Sequence, residues 1–225
     1  MAHQFDVDLQ HLKDQLIAMA GLVERALDFD IEGFDRRDPV SISNVRQIEG
    51  KINDYHKAVD EICIKLVALN QPMARDLRFI ISAIKINADL ERMGDQAVNI
   101  AHNVTRYLTH EPLAGIEDIP EMCSKVRSMV RDAIDAFVRY DVMLAQEVLT
   151  RDDAVDDLKD KVFKDALVLM KASPDKVDAG LDLILVARNL EKVADHATNM
   201  AEEIIFVVSG TDIRHPSRPA KILKG

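Results

Sequence analysis

Hydrophobic residues recur in steps of three and four along most of the chain, which is the spacing of one face of an α-helix. Polar stretches with Pro, Gly or Asn interrupt this pattern at intervals, as they do between helices. Asp38-Pro39, for example, is typical of a helix N-terminus, with Asp as the N-cap and Pro in the first turn. Six helices are predicted, over about 7–34, 39–69, 73–108, 117–139, 142–171 and 174–209, with Ser173 as the N-cap of the last.

The predicted helices indicate an all-α fold. Three long helices lie on each side of the stretch 110–120, which contains Pro and Gly. Short connections favour antiparallel neighbours, so the expected architecture is a tandem duplication of a three-helix antiparallel bundle. The first bundle is predicted over 1–112 and the second over 113–210, with Gly210 as a C-cap. A poorly ordered C-terminal tail is expected over 211–225.

An internal repeat supports the duplication. Residues 90–101 return as 190–201 with Leu, Glu, Asp, Ala, Asn and Ala at identical spacing, and with Arg replaced by Lys. Within each copy, Glu91 and Asp95, or Glu191 and Asp195, stand one helical turn apart and share a face. The third and sixth helices are therefore predicted to carry matching acidic pairs.

The second and fifth helices carry a related pair at an offset of 103 residues. Glu49 and Asn53 in the first half correspond to Asp152 and Asp156 in the second, again at i and i+4. If these helices face the acidic pairs in each bundle, four oxygen-bearing side chains would converge in each half. Asn53 leaves the first set with one fewer charge than the second.

Two interpretations of these residues remain open. Converging carboxylates repel one another, and a hard cation such as Mg²⁺, Ca²⁺, Mn²⁺ or ferric iron would offset the repulsion. The alternative is a solvated acidic face without a ligand, which is common in a chain with 39 acidic residues. Asp95 could then pair with Arg92, and Asp195 with Lys192, along the same helix. His102 and His196 lie nearby without equivalents in the repeat, and we interpret them as helix-surface residues.

The composition, the charge and the absence of known motifs exclude several classes of function. A formal charge of −10 argues against a nucleic-acid-binding surface, and Cys63 and Cys123 lack the spacing of a metal site or a disulfide framework. The longest apolar run, 204–208, is too short to span a membrane, and no signal peptide is recognisable. No nucleophile elbow, phosphate loop or HExxH motif is present. We therefore expect a cytoplasmic protein that is not an enzyme.

Several segments resemble the PhoU family of phosphate-transport regulators. They are the two acidic motifs at 88–95 and 188–195, the Gln-Pro-Met-Ala-Arg-Asp-Leu-Arg turn at 71–78, the segment 60–63 before it, and the segment 207–215 after the last helix. Together they occur in order over nearly the whole chain. The resemblance implies two three-helix bundles and a cytoplasmic regulator that damps phosphate-starvation signalling when phosphate is plentiful.

The resemblance also implies partners and ligands. Members of the family link the phosphate ABC transporter to its sensor histidine kinase and often form homodimers. They hold multinuclear metal clusters on their carboxylate motifs, with iron favoured here and Mg, Mn or Zn as alternatives. By position, the implied metal-site residues are Glu49, Asn53, Glu91 and Asp95 in the first half and Asp152, Asp156, Glu191 and Asp195 in the second.

Two other functions are compatible with the residues alone. A carboxylate-bridged metal enzyme would use the same oxygen donors, although ferritin-like enzymes add a Glu-x-x-His pair that is not found here. A helical scaffold without metal would leave the acidic faces solvated.

Overall fold

The computed structural model describes residues 2–114 and 116–211, which are almost entirely helical. The first half contains α1, α2 and α3, and the second half contains α4, α5, α6 and α7, with a 3-10 turn before the last helix. Their bounds are α1 Ala2–Arg36, α2 Pro39–Asn70, α3 Ala74–Tyr107, α4 Asp118–Arg139, α5 Val142–Thr150, α6 Asp152–Ala172, the turn Pro174–Lys176 and α7 Val177–Ser209. The all-α fold and the six predicted helices are confirmed, the fifth appearing as two segments.

Two predicted helix ends have the expected caps. The Asp38 carboxylate accepts hydrogen bonds from the backbone N–H groups of Val40 and Ser41, at 2.9 and 3.3 Å. Gly210 has a φ of 72° and donates its N–H to the Phe206 carbonyl at 2.8 Å, which ends α7 in the left-handed conformation that glycine tolerates. A side-chain cap therefore begins α2, and a left-handed glycine ends α7.

Two boundaries differ from the prediction. The fifth predicted helix is interrupted at Arg151, whose guanidinium pairs with Asp132 of α4 and lies 3.6 Å from Glu147. Ser173 is not the N-cap of the long last helix, because the 3-10 turn Pro174–Lys176 intervenes and the Ser173 hydroxyl bonds to the Asp175 carboxylate instead of a backbone amide. The predicted tail beyond residue 211 lies outside the described residues.

The core runs through both halves without interruption. Phe79 of α3 stacks on Phe137 of α4, with ring centroids 4.6 Å apart. Arg127 and Arg131 of α4 pair with Asp28 and Glu24 of α1. The division at residue 112 into two bundles stays a prediction, and the halves pack directly on each other.

Helices α3 and α7 lie antiparallel along each other at the centre of the molecule. The Ser82 hydroxyl near the start of α3 donates to Glu203 near the end of α7 at 2.8 Å, and Lys85 Nζ lies 2.9 Å from the same carboxylate. Toward the opposite end of this helix pair, Arg106 Nε lies 3.2 Å from buried Asp182. These polar contacts fix the register in which the two repeats meet.

Burial follows the repeat in both pairs of equivalent helices. Ile52, Val59 and Cys63 of α2 are fully buried, and so are the residues 103 positions later on α6. The same holds for Met93 and Ala97 of α3 and the residues 100 positions later on α7. The equivalent positions on α6 and α7 are Val155, Val162, Ala166, Val193 and Ala197.

Gly94 of α3 lies against the Ile52 side chain of α2. A Cβ atom added to Gly94 would lie 3.0 Å from Ile52 Cδ1 and 3.2 Å from Ile52 Cγ2, which is tighter than ordinary van der Waals contact. The second half has the smaller Val155 and the larger Ala194 at the equivalent positions. In the second half, the residue equivalent to Gly94 is thus larger and the residue equivalent to Ile52 is smaller.

We expect Gly94→Ala and Ile52→Val to be coupled. Alanine in a helix is favoured over glycine by about 1 kcal/mol, while overpacking costs about 1–3 kcal/mol, so Gly94→Ala alone should be neutral or destabilising. Ile52→Val removes the nearest methyl group, and the double variant should be more stable than additivity predicts by about 0.5–1.5 kcal/mol. Denaturant unfolding of the four proteins measures this coupling.

Gly50→Ala provides the matched control, because nothing lies within 4 Å of the added Cβ atom. It should stabilise the protein by up to about 1 kcal/mol, with or without Ile52→Val. Additive effects of Gly94→Ala and Ile52→Val would contradict the packing argument.

Candidate carboxylate sites

The second acidic set consists of Asp152 and Asp156 on α6 together with Glu191 and Asp195 on α7. The structure packs these two helices against each other, with Asp156 and Glu191 both within ion-pair distance of one lysine. Lys159 of α6 joins them: its Nζ lies 2.7 Å from Asp156 Oδ1 and 3.2 Å from Glu191 Oε1. The Lys159 ammonium group thus bridges two of the four carboxylates, one on each helix.

The carboxylates of the second set repel one another. The pKa of Asp152 is raised by partial burial first, then by the charge of Asp195 and, less, by those of Asp156 and other acidic neighbours. The pKa of Asp195 is also raised by partial burial first and then by Glu191 and Asp156, while His196 and Lys159 oppose the shift. The pKa of Lys159 is also raised, chiefly by its hydrogen bond to Asp156, and for an ammonium group this means that the charged form is stabilised. Negative charge is therefore only partly balanced at this set.

The first acidic set consists of Glu49 and Asn53 on α2 with Glu91 and Asp95 on α3. The amide of Asn53 donates to the Glu49 carboxylate along the helix. Glu49, Asp95 and Arg46 line a common groove. Within the described part of the chain, no cation lies within ion-pair distance of any of the three carboxylates. This set has no counterpart of Lys159.

The residue types suit an oxygen-preferring cation, but their placement does not assemble a complete site. All the side chains in both sets offer carboxylate or amide oxygens, the ligands that Mg²⁺, Ca²⁺ and Mn²⁺ prefer. Over residues 2–114 and 116–211, no three His, Cys, Asp or Glu side chains are gathered closely enough to hold a metal ion. The repulsion within the second set shows what a cation would relieve. The metal-ligand role of the eight residues stays a prediction.

The local pairs considered from the sequence do not form. Among the described residues, neither Arg92 nor Lys192 makes an ion pair with the aspartate three positions later. Sequence reasoning missed Lys159, although its position three residues after Asp156 is a helical pairing distance and was a usable signal.

The interpretation of His196 as a surface residue is wrong. Its Nδ1 lies 2.9 Å from Asp89 Oδ1 of α3, and the side chain is mostly buried. Residue 96, the equivalent position in the repeat, is Gln, so no shared pattern pointed to this contact. His102 is exposed, as expected.

Comparisons with known proteins agree with this architecture. A family model described as "PhoU domain" matches the chain twice, over residues 16–104 and 119–204. The chain belongs to the PhoU family. The two matched ranges lie on either side of the stretch that separates α3 from α4, so both PhoU domains contain one acidic set.

Similar proteins match over most of their length. The chain is 35% identical over 216 residues to the "Phosphate-specific transport system accessory protein PhoU homolog" of Pseudomonas putida, covering 96% of this chain and 84% of that protein. It is 32% identical to the Clostridium acetobutylicum protein of the same description, covering 93% of this chain and 96% of the other.

Solved structures of the family share the fold. The crystal structure of PhoU from Pseudomonas aeruginosa has a TM-score of 0.88 and 35% identity, covering 92% of this chain and all of that one. The phosphate transport system regulatory protein PhoU from Streptococcus pneumoniae has a TM-score of 0.87 and 26% identity, covering 94% of this chain and all of the other. No helix in the described ranges is long and apolar enough to cross a membrane.

Charge repulsion in the second acidic set should make stability fall as pH rises. A carboxyl group whose folded-state pKa is raised binds protons more tightly in the folded state, so stability is lost as pH rises from about 4 through the raised pKa. Asp195→Asn should therefore stabilise the protein at pH 7, by less than about 1 kcal/mol because solvent screens these partly exposed groups. Denaturant unfolding between pH 4 and 8 measures the effect.

The same variant should lower the pKa of Asp152, because Asp195 is the main charged cause of its shift. Carboxyl chemical shifts followed through a pH titration report this change directly. Asp157→Asn is the control, since Asp157 is exposed on α6 and makes no hydrogen bond or ion pair among the described residues. If Asp195→Asn is less stable than the wild type at pH 7, the carboxylates of the second acidic set do not destabilise the fold by repulsion, and the prediction is wrong.

Proposed function

We propose that this PhoU-family protein is a cytoplasmic regulator of phosphate uptake that represses the phosphate-starvation response when phosphate is plentiful. In this proposal it links the phosphate ABC transporter to a sensor histidine kinase. The observation that carries the proposal is the match of both halves to the PhoU domain, together with relatives described as accessory proteins of the phosphate-specific transport system. A role in the phosphate transport system follows from that membership. The link to the kinase and the sign of regulation are the proposed steps.

The chemistry of the described residues favours an adaptor over a catalyst. Burial raises the pKa of Cys63 and of Cys123 to about 12, so neither thiol is ionised at neutral pH as a nucleophile would need to be. The continuous core makes the helices a rigid support for their acidic outer faces. A rigid body with charged faces is suited to docking on partner proteins.

We also propose that the acidic sets bind metal, with multinuclear iron clusters favoured, and that the protein forms a homodimer. The oxygen-rich composition of both sets and the mutual repulsion in the second support cation binding. Exposed apolar side chains at the connection between α2 and α3, chiefly Leu69 and Met73, offer a surface for association.

A deletion strain tests the regulatory proposal. Without the protein, genes induced by phosphate starvation should remain expressed in high phosphate, because the link that represses the kinase is missing. Reporter expression in high and low phosphate measures this, and a plasmid copy of the gene should restore repression. Reporter genes that remain fully repressible in the deletion strain would contradict the proposal.

Elemental analysis tests the metal proposal. Protein purified without chelator should contain metal, and Glu191→Ala with Asp195→Ala should lower the content by one site's share, because two of the four donors are lost. Asp54→Ala with Asp157→Ala removes two acidic residues that lie outside both sets and serves as the control. An equal metal content in the Glu191/Asp195 variant and the wild type would contradict the assignment, and a metal-free wild type would favour the plain scaffold.

A further inference from the structure

We propose that Lys13 and Arg75 form an anion-binding site beside the ring of Tyr140, and that this site takes a phosphoryl group. The three residues come from α1, from the first turn of α3 and from the end of α4, so both halves of the chain contribute to the site. The site shares no residue with the acidic sets. It does not depend on the proposed link between the transporter and the kinase.

Both cations lie against the same aromatic ring. Lys13 Nζ lies 4.7 Å from the centroid of the Tyr140 ring and 5.2 Å from that of Phe79. The guanidinium carbon of Arg75 lies 4.1 Å from the Tyr140 centroid. Aromatic faces attract cations, so the rings hold both charged groups at the place where α1, α3 and α4 meet. Arg75 is exposed and Lys13 is half-buried, which leaves the pair open to a ligand from solution.

Neither cation has an anionic partner. Among the described residues, neither Lys13 nor Arg75 makes an ion pair or a hydrogen bond. The pKa of Lys13 is lowered by burial first and then by the charge of Arg75, so the two cations are close enough to repel each other. Two adjacent positive charges without an anion are unexpected in a chain with a net charge of −10. A bound anion would relieve their repulsion.

The carboxylates nearest in sequence do not neutralise the pair. Asp141 accepts the backbone N–H groups at the start of α5, and Asp14 accepts a hydrogen bond from the Gln10 amide at 2.9 Å. The charge of Asp76 reaches the site, since it contributes to raising the pKa of Tyr140. However, Asp76 makes no ion pair with either cation in the described part of the chain.

A strained turn precedes Arg75. Gln71 and Ala74 have φ values of 47° and 49°, in the left-handed region that residues other than glycine rarely adopt. Strain of this kind is found at ligand sites, where the surrounding structure maintains it. Asp175 is the residue 100 positions after Arg75, and no residue with positive φ occurs at that connection between α6 and α7. The cationic site is therefore a feature of the first connection alone.

The number of charges favours a phosphoryl group over a carboxylate. A phosphoryl group carries a charge of about −1.5 to −2 at pH 7 and matches two cations, whereas a carboxylate would neutralise only one. Arginine and lysine both bind phosphate oxygens. The Tyr140 hydroxyl makes no hydrogen bond within the described ranges, and burial raises the pKa of Tyr140, so the hydroxyl keeps its proton as a further donor. Inorganic phosphate and phosphate esters share this chemistry.

Calorimetric titration with inorganic phosphate and, separately, with adenosine monophosphate tests the site. The wild type should bind at least one of them saturably, with a Kd of about 1 mM or tighter, and the tighter ligand identifies the source of the phosphoryl group. Lys13→Met keeps the aliphatic stem over the rings, and Arg75→Gln keeps a polar side chain. Each should weaken binding about tenfold or more, because half of the positive charge is lost.

Arg25→Gln is the matched control. The Arg25 guanidinium carbon also lies over an aromatic ring, 4.3 Å from the Phe29 centroid, but no second cation lies over that ring among the described residues. This variant should bind phosphate as the wild type does. Lys13→Arg, which keeps the charge, should also retain binding, and a melting scan of each variant shows whether it is folded.

Three results would overturn the proposal. They are no saturable binding of either ligand by the wild type, equal affinity of the wild type with both Lys13→Met and Arg75→Gln, and binding of acetate as tight as that of phosphate. A further measurement needs no variant: phosphate should raise the pKa of the Lys13 ammonium group, followed by NMR, and an unchanged pKa at saturating phosphate would also contradict the site. Failure of the reporter experiment in the deletion strain would leave these results unaffected.

Discussion

The antiparallel contact between α3 and α7 is the constraint on which the rest of the structure depends. Each helix carries one acidic pair on its outer side and buried residues on the side that faces the other half. Buried Glu203 and Asp182 would be costly without partners, and Lys85 and Arg106 provide charges of opposite sign across this interface. These ion pairs favour the observed register of α3 against α7. In this register, α2 and α6 lie beside the acidic faces of α3 and α7.

The two halves keep the same pattern of buried positions on equivalent helices, while their polar side chains differ. Small differences are compensated locally: Gly94 faces Ile52, whereas Ala194 has Val155 at the corresponding position. Two polar positions also differ together: the first half has Asn53 and His56, and the second half has an acid and a base, Asp156 and Lys159, at the equivalent positions. Both halves therefore have acidic residues at equivalent positions of equivalent helices. They differ in the residues that balance this negative charge.

The helices could be predicted because the signals for a helix are local in the sequence. The contacts that side chains make with other helices could not. Hydrophobic spacing and the caps at Asp38 and Gly210 determine where helices begin and end. The break at Arg151 depends on a carboxylate from another helix, and the buried pair of His196 with Asp89 joins residues 107 positions apart. Spacing places the acidic residues on one face, but it does not show which cation, internal or external, lies among them.

The acidic sets lower the stability of the folded protein at neutral pH. Raised pKa values at Asp152 and Asp195 mean that ionising these groups weakens the fold, and packing elsewhere must offset that cost. Selection for stability alone would favour neutral side chains at such positions, because a partly shielded like-charge cluster brings no packing in return. Folding stability therefore does not account for the acidic pair that both halves carry. Lys159 shows how one half lowers that cost internally while keeping its carboxylates.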